Sequence, residues 1–264
     1  MDGPDAQDAL AHTRDALRRA RRVCVLTGAG MSAESGIPTF RDAMVSAATA
    51  AQGGADASPL WSRFDPAALA SEAGFRADPA AVWDWYAERR DGVRRAEPNA
   101  GHRALADFAA RRPGVLTVVT QNVDDLHQRA GNADTIRLHG DLLSDRWLGP
   151  CRRQPACAPS DARPGRPPRC ADCDNLARPA VVWFGEMLPA AALRAAERAA
   201  AGCELMLVVG TSGAVWPAAG LAGQARAAGA RVVIVNPAPS EIDDAADVVL
   251  RGTAAGLLPA LLGR

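Results

Sequence analysis

The chain contains no lysine: all 30 of its basic residues are arginine. That absence removes its own side chains from any lysine-directed chemistry. The accompanying wealth of Ala, Arg, Gly and Pro is the mark of a GC-rich genome, a bias rather than a mechanism. Net charge is absent too, since 30 acidic residues balance the 30 arginines. Composition therefore gives no reason to expect nucleic acid or an anionic membrane as partner. No apolar run approaches the roughly 18 to 20 residues that span a bilayer. Met1 to Ala9 is acidic and polar, without the basic and apolar blocks of a signal peptide. The expected location is the cytoplasm, where disulfides are disfavoured and clustered cysteines point to metal or catalysis. A monomer is expected.

What is present is enough for a full core: 264 residues, 48% of them hydrophobic. Asp8 to Arg22 reads as a helix leading into Val23–Thr27, a short apolar run suited to a buried parallel strand. Similar runs recur at Val115–Thr120, Thr135–Leu138, Leu205–Val209, Arg231–Val235 and Val248–Leu250. Alanine-rich helical stretches such as Ala191–Ala201 and Ala218–Ala228 lie between them. This alternation predicts an α/β fold, a doubly wound parallel sheet covered on both faces. Two segments break it. Ala43–Ser58 has small residues and no periodicity, and reads as a mobile loop. Pro150–Arg178 is dense in Pro, Arg and Cys, with too little apolar content to fold by burial alone.

The motifs lie at strand ends. Gly28-Ala29-Gly30-Met31-Ser32-Ala33-Glu34-Ser35-Gly36 follows the first strand, and its glycines let backbone approach a pyrophosphate. By itself such a turn is weak evidence, and no acidic residue ends a second strand where a ribose would want one. Its continuation, Ile37-Pro38-Thr39-Phe40-Arg41, is far more specific. Further along come Thr120-Gln121-Asn122-Val123-Asp124-Asp125-Leu126-His127, then Leu138-His139-Gly140, then Val181-Val182-Trp183-Phe184-Gly185-Glu186. Gly210-Thr211-Ser212 and Asn236-Pro237 end two later strands, where an open α/β sheet binds its ligand. A lone histidine is more often structural or solvated than catalytic, which is the reading for His12, His102 and His127. His139 differs because it ends an apolar strand. Asn122 and Asp124 have the chemistry of ordinary turn residues as well as of ligands.

In this order, and over nearly the whole chain, these motifs resemble the sirtuin family. The resemblance implies a Rossmann-like sheet with a small inserted zinc-binding and helical domain. Its expected boundaries are 1–40, 99–140 and 180–264 for the discontinuous NAD-binding domain, with 41–98 and 141–179 forming the small one. It implies an NAD-dependent protein-lysine deacylase yielding nicotinamide, free lysine and acyl-ADP-ribose, with acyl-lysine proteins as partners. By matching position, Gly28, Ala29, Gly30, Ser32, Glu34, Gly210, Thr211, Ser212, Asn236 and Ala254 hold the dinucleotide. Phe40 and Arg41 cover the reacting face. Gln121, Asn122 and Asp124 orient ribose and nicotinamide, and His139 is the general base for a ribose hydroxyl. Val182, Trp183, Phe184, Gly185 and Glu186 match the acyl-lysine segment.

The substrate argument rests on Trp83-Asp84-Trp85-Tyr86-Ala87-Glu88-Arg89. On a helix Tyr86 and Arg89 share a face, and a phenol beside a guanidinium is a good receptor for a carboxylate. Tyr-x-x-Arg is similar to the motif of sirtuins that remove succinyl, malonyl and glutaryl groups, and Ala70 matches their small residue. Read without the family, the same helix is a charged surface with Tyr as core filler.

Two departures stand out. Cys170-Ala171-Asp172-Cys173 has metal-ligand spacing, but where the family begins its other Cys pair this chain has Trp147. Cys151 and Cys157 are the remaining candidates for a four-thiolate structural zinc site; the alternative is a degenerate site that has lost its metal. Cys24 and Cys203 read as small buried apolar residues. After Phe40-Arg41-Asp42-Ala43 the expected Leu60-Trp61 arrives only beyond an insertion, Met44 to Pro59. The same NAD chemistry admits a mono-ADP-ribosyltransferase, and a non-catalytic NAD-sensing module is the reading from another class.

Overall fold

The computed structural model describes residues 4–39, 69–151 and 158–263. It divides into two units, one of residues 1–37, 96–138 and 188–264, the other of residues 38–95 and 139–187. Phe40, Arg41, Cys157 and the Met44 to Pro59 insertion lie outside the described residues.

The larger unit is built on a six-stranded parallel sheet: β1 (Val23–Thr27), β2 (Leu116–Thr120), β3 (Ile136–Arg137), β6 (Leu205–Val209), β7 (Arg231–Val235) and β8 (Val248–Leu250). Their spatial order is β3-β2-β1-β6-β7-β8. The strands of residues 140–147 and 177–181 belong to the other unit. Because side chains alternate along a strand, each strand feeds two cores. Cys24 and Leu26 join Met206, Val208, Val232 and Ile234 on one face. Val23 and Val25 join Leu205, Leu207 and Val233 on the other. Burial on both faces is why these strands read as unbroken apolar runs.

Helices α1 (Pro4–Arg19), α5 (Ala100–Arg111) and α9 (Ala254–Leu262) belong to the second face, and α7 (Ala190–Gly202) and α8 (Gly220–Ala227) to the first. The short α2 (Gly30–Ala33) follows β1, and α6 (Leu126–Ala130) follows β2. Helix α1 ends at Arg19, three residues before the sequence reading. The Arg21 amide is drawn away to the Glu204 carboxylate (2.8 Å), and the Arg22 carbonyl accepts the Glu204 N–H (2.8 Å).

The smaller unit carries α3 (Glu72–Ala77) and α4 (Pro79–Arg95), with an antiparallel pair, β4 (Gly140–Trp147) and β5 (Ala177–Val181). The apolar pattern does not announce this pair. Its ladder is interrupted between Asp141 and Asp145. Arg90 repairs the interruption: its guanidinium donates to the carbonyls of Leu142 (2.7 Å) and Ser144 (3.3 Å) and pairs with Asp145. Strand β5 stops at Val181, so the Val182–Glu186 segment matched to the acyl-lysine lies beyond it. Beyond it the chain leaves β4, the Val182 N–H donating to the His139 carbonyl and the Phe184 N–H to the Ala70 carbonyl, each at 2.9 Å. Among the described residues no helix is long and apolar enough to cross a membrane.

One polar element is sealed inside the larger unit. His102 and His127 are 0% and 1% exposed, with ring centroids 4.9 Å apart. Each ring has one anchored nitrogen: His102 Nδ1 accepts the Asn99 N–H (3.3 Å), and His127 Nε2 meets Thr27 Oγ1 (3.0 Å). Burial pushes their pKa values down, to about 4 and about 3, with Arg103 adding to the first shift and the repulsion that two charged rings would meet adding to the second. Both are held neutral. The unfolded chain takes up protons near pH 6.5, well before the folded one does. Stability from this pair is therefore complete above about pH 6.5 and declines as pH falls toward 4. Thermal unfolding followed from pH 7.5 to 4.5 should show midpoints falling by several degrees, and His127→Gln should flatten that fall. An unchanged slope in the variant would assign the acid sensitivity elsewhere.

Candidate functional site

In the larger unit the strand order reverses between β1 and β6, and the crevice at such a switch point is where a doubly wound sheet takes its ligand. The two Gly-rich turns meet there. The Gly30 N–H donates to the Gly210 carbonyl at 2.8 Å. A Cβ on Gly210 would lie 2.5 Å from the Met31 nitrogen, and one on Gly30 2.8 Å from the Gly210 Cα. Gly210 also has φ +62°, which favours glycine. These glycines are thus demanded by turn-on-turn packing, a tighter constraint than room for a pyrophosphate.

Around that contact the polar side chains form two short chains of hydrogen bonds. Asn122 Nδ2 donates to Ser32 Oγ (3.1 Å), which donates to Asp124 Oδ2 (2.9 Å). Asp124 Oδ1 accepts the Leu126 N–H (3.1 Å). Burial raises the Asp124 pKa, opposed by the Leu126 and Ser32 donors. In the second chain, Gln121 Nε2 donates to Thr211 Oγ1 (3.1 Å) and Asn236 Nδ2 to the Thr211 carbonyl (3.2 Å). The residues expected to hold a dinucleotide thus converge from the ends of β1, β2, β6 and β7. Glu34 reaches the far end of the chain, accepting the N–H of Ala255 next to buried Ala254 (2.9 Å). Ser212 lends its carbonyl to the Glu241 N–H (2.9 Å), and Ala29 is exposed.

In the smaller unit His139 is half-buried and precedes Gly140, whose φ is +85° and whose Cβ would lie 2.2 Å from the Ala180 carbonyl. Only glycine fits there, so the backbone leaving His139 is fixed by β5. Tyr86 is buried on α4, and its hydroxyl accepts the Trp183 indole N–H at 2.9 Å. The Arg89 guanidinium lies 4.8 Å from the Trp85 ring centre and 5.6 Å from that of Tyr86. It has no ion pair or hydrogen bond among the described residues. Desolvation lowers the Arg89 pKa, and burial raises that of Tyr86 against the pull of Arg89, so the phenol stays protonated at neutral pH. The arrangement is a cation and a hydroxyl donor on apolar walls, suited to a carboxylate.

Trp183 is itself held. Arg178, 1% exposed, stacks its guanidinium 3.2 Å from the Trp183 ring centre and pairs with Glu186 at 2.5 and 3.0 Å. Glu186 also accepts the Trp183 N–H (2.8 Å) and pairs with Arg146. Its carboxylate is thereby occupied by protein. Phe184, 49% exposed, sits in a bridge to Ser71 beside Ala70.

Cys151, Cys170 and Cys173 bring their sulfurs within 4.8 Å of one another, Cys151 lying 3.8 Å from each of the others. Thiolates around one tetrahedral zinc at about 2.3 Å are separated by about 3.8 Å, so this donor set fits that ion. The segment is otherwise held by Asn175, which donates to the Gly149 carbonyl (2.6 Å), and by Asp174 between Arg163 and Arg169.

Residues 28–217 match the Sir2 family. An NAD-dependent protein deacylase of Ralstonia nicotianae is 51% identical over 254 residues, covering 96% of each chain. One of Mycolicibacterium paratuberculosis is 45% identical over 246 residues, 92% of this chain and 97% of that one. The chain belongs to the Sir2 family. Among solved structures, a Sir2 homolog–NAD complex superposes with a TM-score of 0.80 at 39% identity, covering 96% of this chain and 92% of that chain. Sir2Tm bound to a propionylated peptide gives 0.78 at 29% identity, with 96% and 97% covered.

Arg178 is the residue that sequence reasoning passed over. An arginine inside Ala177–Val181 was the available signal, since a charge in a strand is rarely buried unless paired. The Thr27 and Thr120 hydroxyls, bonded to each other at 2.8 Å beneath the site, carried no signal at all. Metal analysis of the purified Sir2-family protein should return one zinc per chain, and Cys173→Ser should lose it and unfold at lower temperature. Stoichiometric zinc in that variant would remove Cys173 from the ligand set.

Proposed function

We propose that this protein is an NAD-dependent protein-lysine deacylase that favours acyl groups ending in a carboxylate. Near-full-length likeness to relatives named for NAD-dependent deacylation supports the reaction. Arg89, beside Tyr86 and without an ion pair among the described residues, carries the acyl preference. NAD supplies, when bound, the ribose that accepts the acyl group as nicotinamide departs.

The chain's residues then divide the work. The turns at Gly28–Gly30 and Gly210–Ser212, with Glu34, Asn236 and Ala254, hold the dinucleotide, and Phe40 and Arg41 cover it. Gln121, Asn122 and Asp124 orient the ribose and amide, and the interlocked glycines keep those groups from shifting during reaction. His139 takes the proton from a ribose hydroxyl as general base. Val182 to Gly185 and Ala70 line the acyl-lysine. Because the Trp183 N–H donates to the Tyr86 oxygen, the phenolic hydrogen is free to donate to the acyl carboxylate alongside Arg89. Zinc held by Cys151, Cys170, Cys173 and the proposed fourth ligand Cys157 is structural. Among the described residues no cysteine is in a disulfide, which suits a reducing compartment, and the cytoplasm is the proposed location.

Purified protein incubated with NAD and matched succinyl-, malonyl- and acetyl-lysine peptides should remove the acidic acyl groups fastest, read as peptide mass. No NAD-dependent loss of any acyl group defeats the deacylase reading, and acetyl turnover equal to succinyl defeats the preference. Losing a charge-assisted hydrogen bond costs about 1.5–3 kcal/mol, so Arg89→Met should lower succinyl kcat/KM about 10- to 150-fold and leave acetyl within about twofold. Trp183→Phe removes the orienting N–H, a neutral bond of about 0.5–1.5 kcal/mol, together with part of the packed ring, and should raise succinyl KM about 2- to 10-fold more than acetyl KM. Equal changes for both substrates would make Trp183 a packing residue only.

A further inference from the structure

The larger unit carries a second concave surface. Between α7, α8 and the 241–245 loop runs a groove of about 410 Å³, at the small end of ligand pockets. Leu193 and Ile242 form part of its apolar wall, and Trp216 stands at its rim 71% exposed. The Trp216 ring rests on Gly220, where a Cβ would come within 2.7 Å of it, so it is braced while most of it faces solvent. Three carboxylates line the same groove: Glu197, Glu241 and Asp244. None of the three carboxylates makes a salt bridge or hydrogen bond among the described residues, Arg226 donating to the Asp244 backbone carbonyl (2.6 Å) and pairing with Asp247, and no Arg or His side chain lines the groove.

Three carboxylates without an ion pair among the described residues, a braced indole and an apolar wall are complementary to one chemistry. Arginine and lysine lay an alkyl stem on apolar surface and hold a cationic head in water. Such a head is attracted to both carboxylates and an indole face. We infer that this groove docks a basic, extended segment of the acylated protein partner, with an Arg or Lys side chain against Trp216 and its charge among Glu197, Glu241 and Asp244. The identification of the partner as the acylated protein rests on the deacylase reading; the cationic docking does not.

The groove is also tied to the cofactor turn. The Glu241 N–H donates to the Ser212 carbonyl at 2.9 Å, and Ile242 fills the space where a Cβ on Gly213 would fall. Binding at the groove thus bears on the loop that carries Thr211 and Ser212.

Two arms test this on the full chain. In the first, a fluorescent twelve-residue peptide with three arginines and no acyl-lysine is titrated and followed by anisotropy. Saturable binding is expected that weakens as NaCl rises from 50 to 300 mM, because exposed charges are screened within about 8 Å at physiological salt. The isosteric triple variant Glu197→Gln/Glu241→Gln/Asp244→Asn and, separately, Trp216→Ala should each weaken it at least fivefold, with a Gln-for-Arg peptide failing to bind. Binding unchanged in both variants, or absent in the parent, overturns the proposal. So does a dimer in light scattering that the triple variant dissociates, which would give the groove to a second copy. In the second arm, acyl-lysine peptides with basic or neutral flanks are compared. The basic flank should lower KM in the parent, and the triple variant should erase that advantage while leaving the neutral peptide's turnover unchanged. No turnover of either peptide, with the anisotropy result intact, means that the deacylase reading has failed and the groove has not.

Discussion

The contact on which the larger unit's site depends is the meeting of two turns at the sheet's switch point. Gly30 donates to the Gly210 carbonyl at 2.8 Å, and neither position has space for a side chain. Strands β1 and β6 are neighbours in register, Thr27 opposite Val209, so the turns leaving them start side by side. Any larger residue would pry them apart and carry Ser32 away from Asn122 and Asp124 on one side, and Thr211 from Gln121 on the other. Those contacts are hydrogen bonds of ordinary length, each contributing about 1 kcal/mol net. Their value to the site is geometric: buried polar groups that satisfy each other do not wander.

Much of this was legible in the sequence because parallel strands buried on both faces must be written as apolar runs, and the turns between them need glycine. The order of β1, β2, β6, β7 and β8 with their motifs followed from that pattern. The smaller unit was not legible in the same way. Its β4–β5 pair alternates poorly, carries an interruption at Asp141–Asp145, and is held by arginines where a longer sheet would use aliphatic burial. Arg90 was indistinguishable by pattern from Arg89, yet one is consumed by backbone carbonyls and the other is not. Nor does spacing reveal that Cys151 stands equidistant from Cys170 and Cys173, because the intervening Pro-rich chain sets no period.

His102 and His127 illustrate a subtler limit. Reading them as structural was sound on chemistry, since neutral imidazoles are tolerated inside. What sequence could not supply was their contact, edge to face at 4.9 Å, or the threonine pair beneath them. Thr27 and Thr120 end adjacent strands in register, and that register exists only once the sheet has formed.

The smaller unit makes its own case through three buried or half-buried arginines that meet different fates. Arg178 is enclosed completely, yet every direction is answered: Glu186 by two bonds, the Val181 carbonyl at 2.6 Å and the Trp183 face. Arg90 is answered by two carbonyls and Asp145. Desolvating a cation without a counter-charge costs several kcal/mol, which is why such residues are paired. Among the described residues Arg89 departs from that rule, with the Trp85 and Tyr86 rings for neighbours and no carboxylate. The same unit answers its other two interior guanidiniums with carboxylates and carbonyls, and Arg89 with ring faces alone among the described residues. In the proposed acyl preference, the negative charge is the one an acidic acyl group brings to Arg89 and removes with the product.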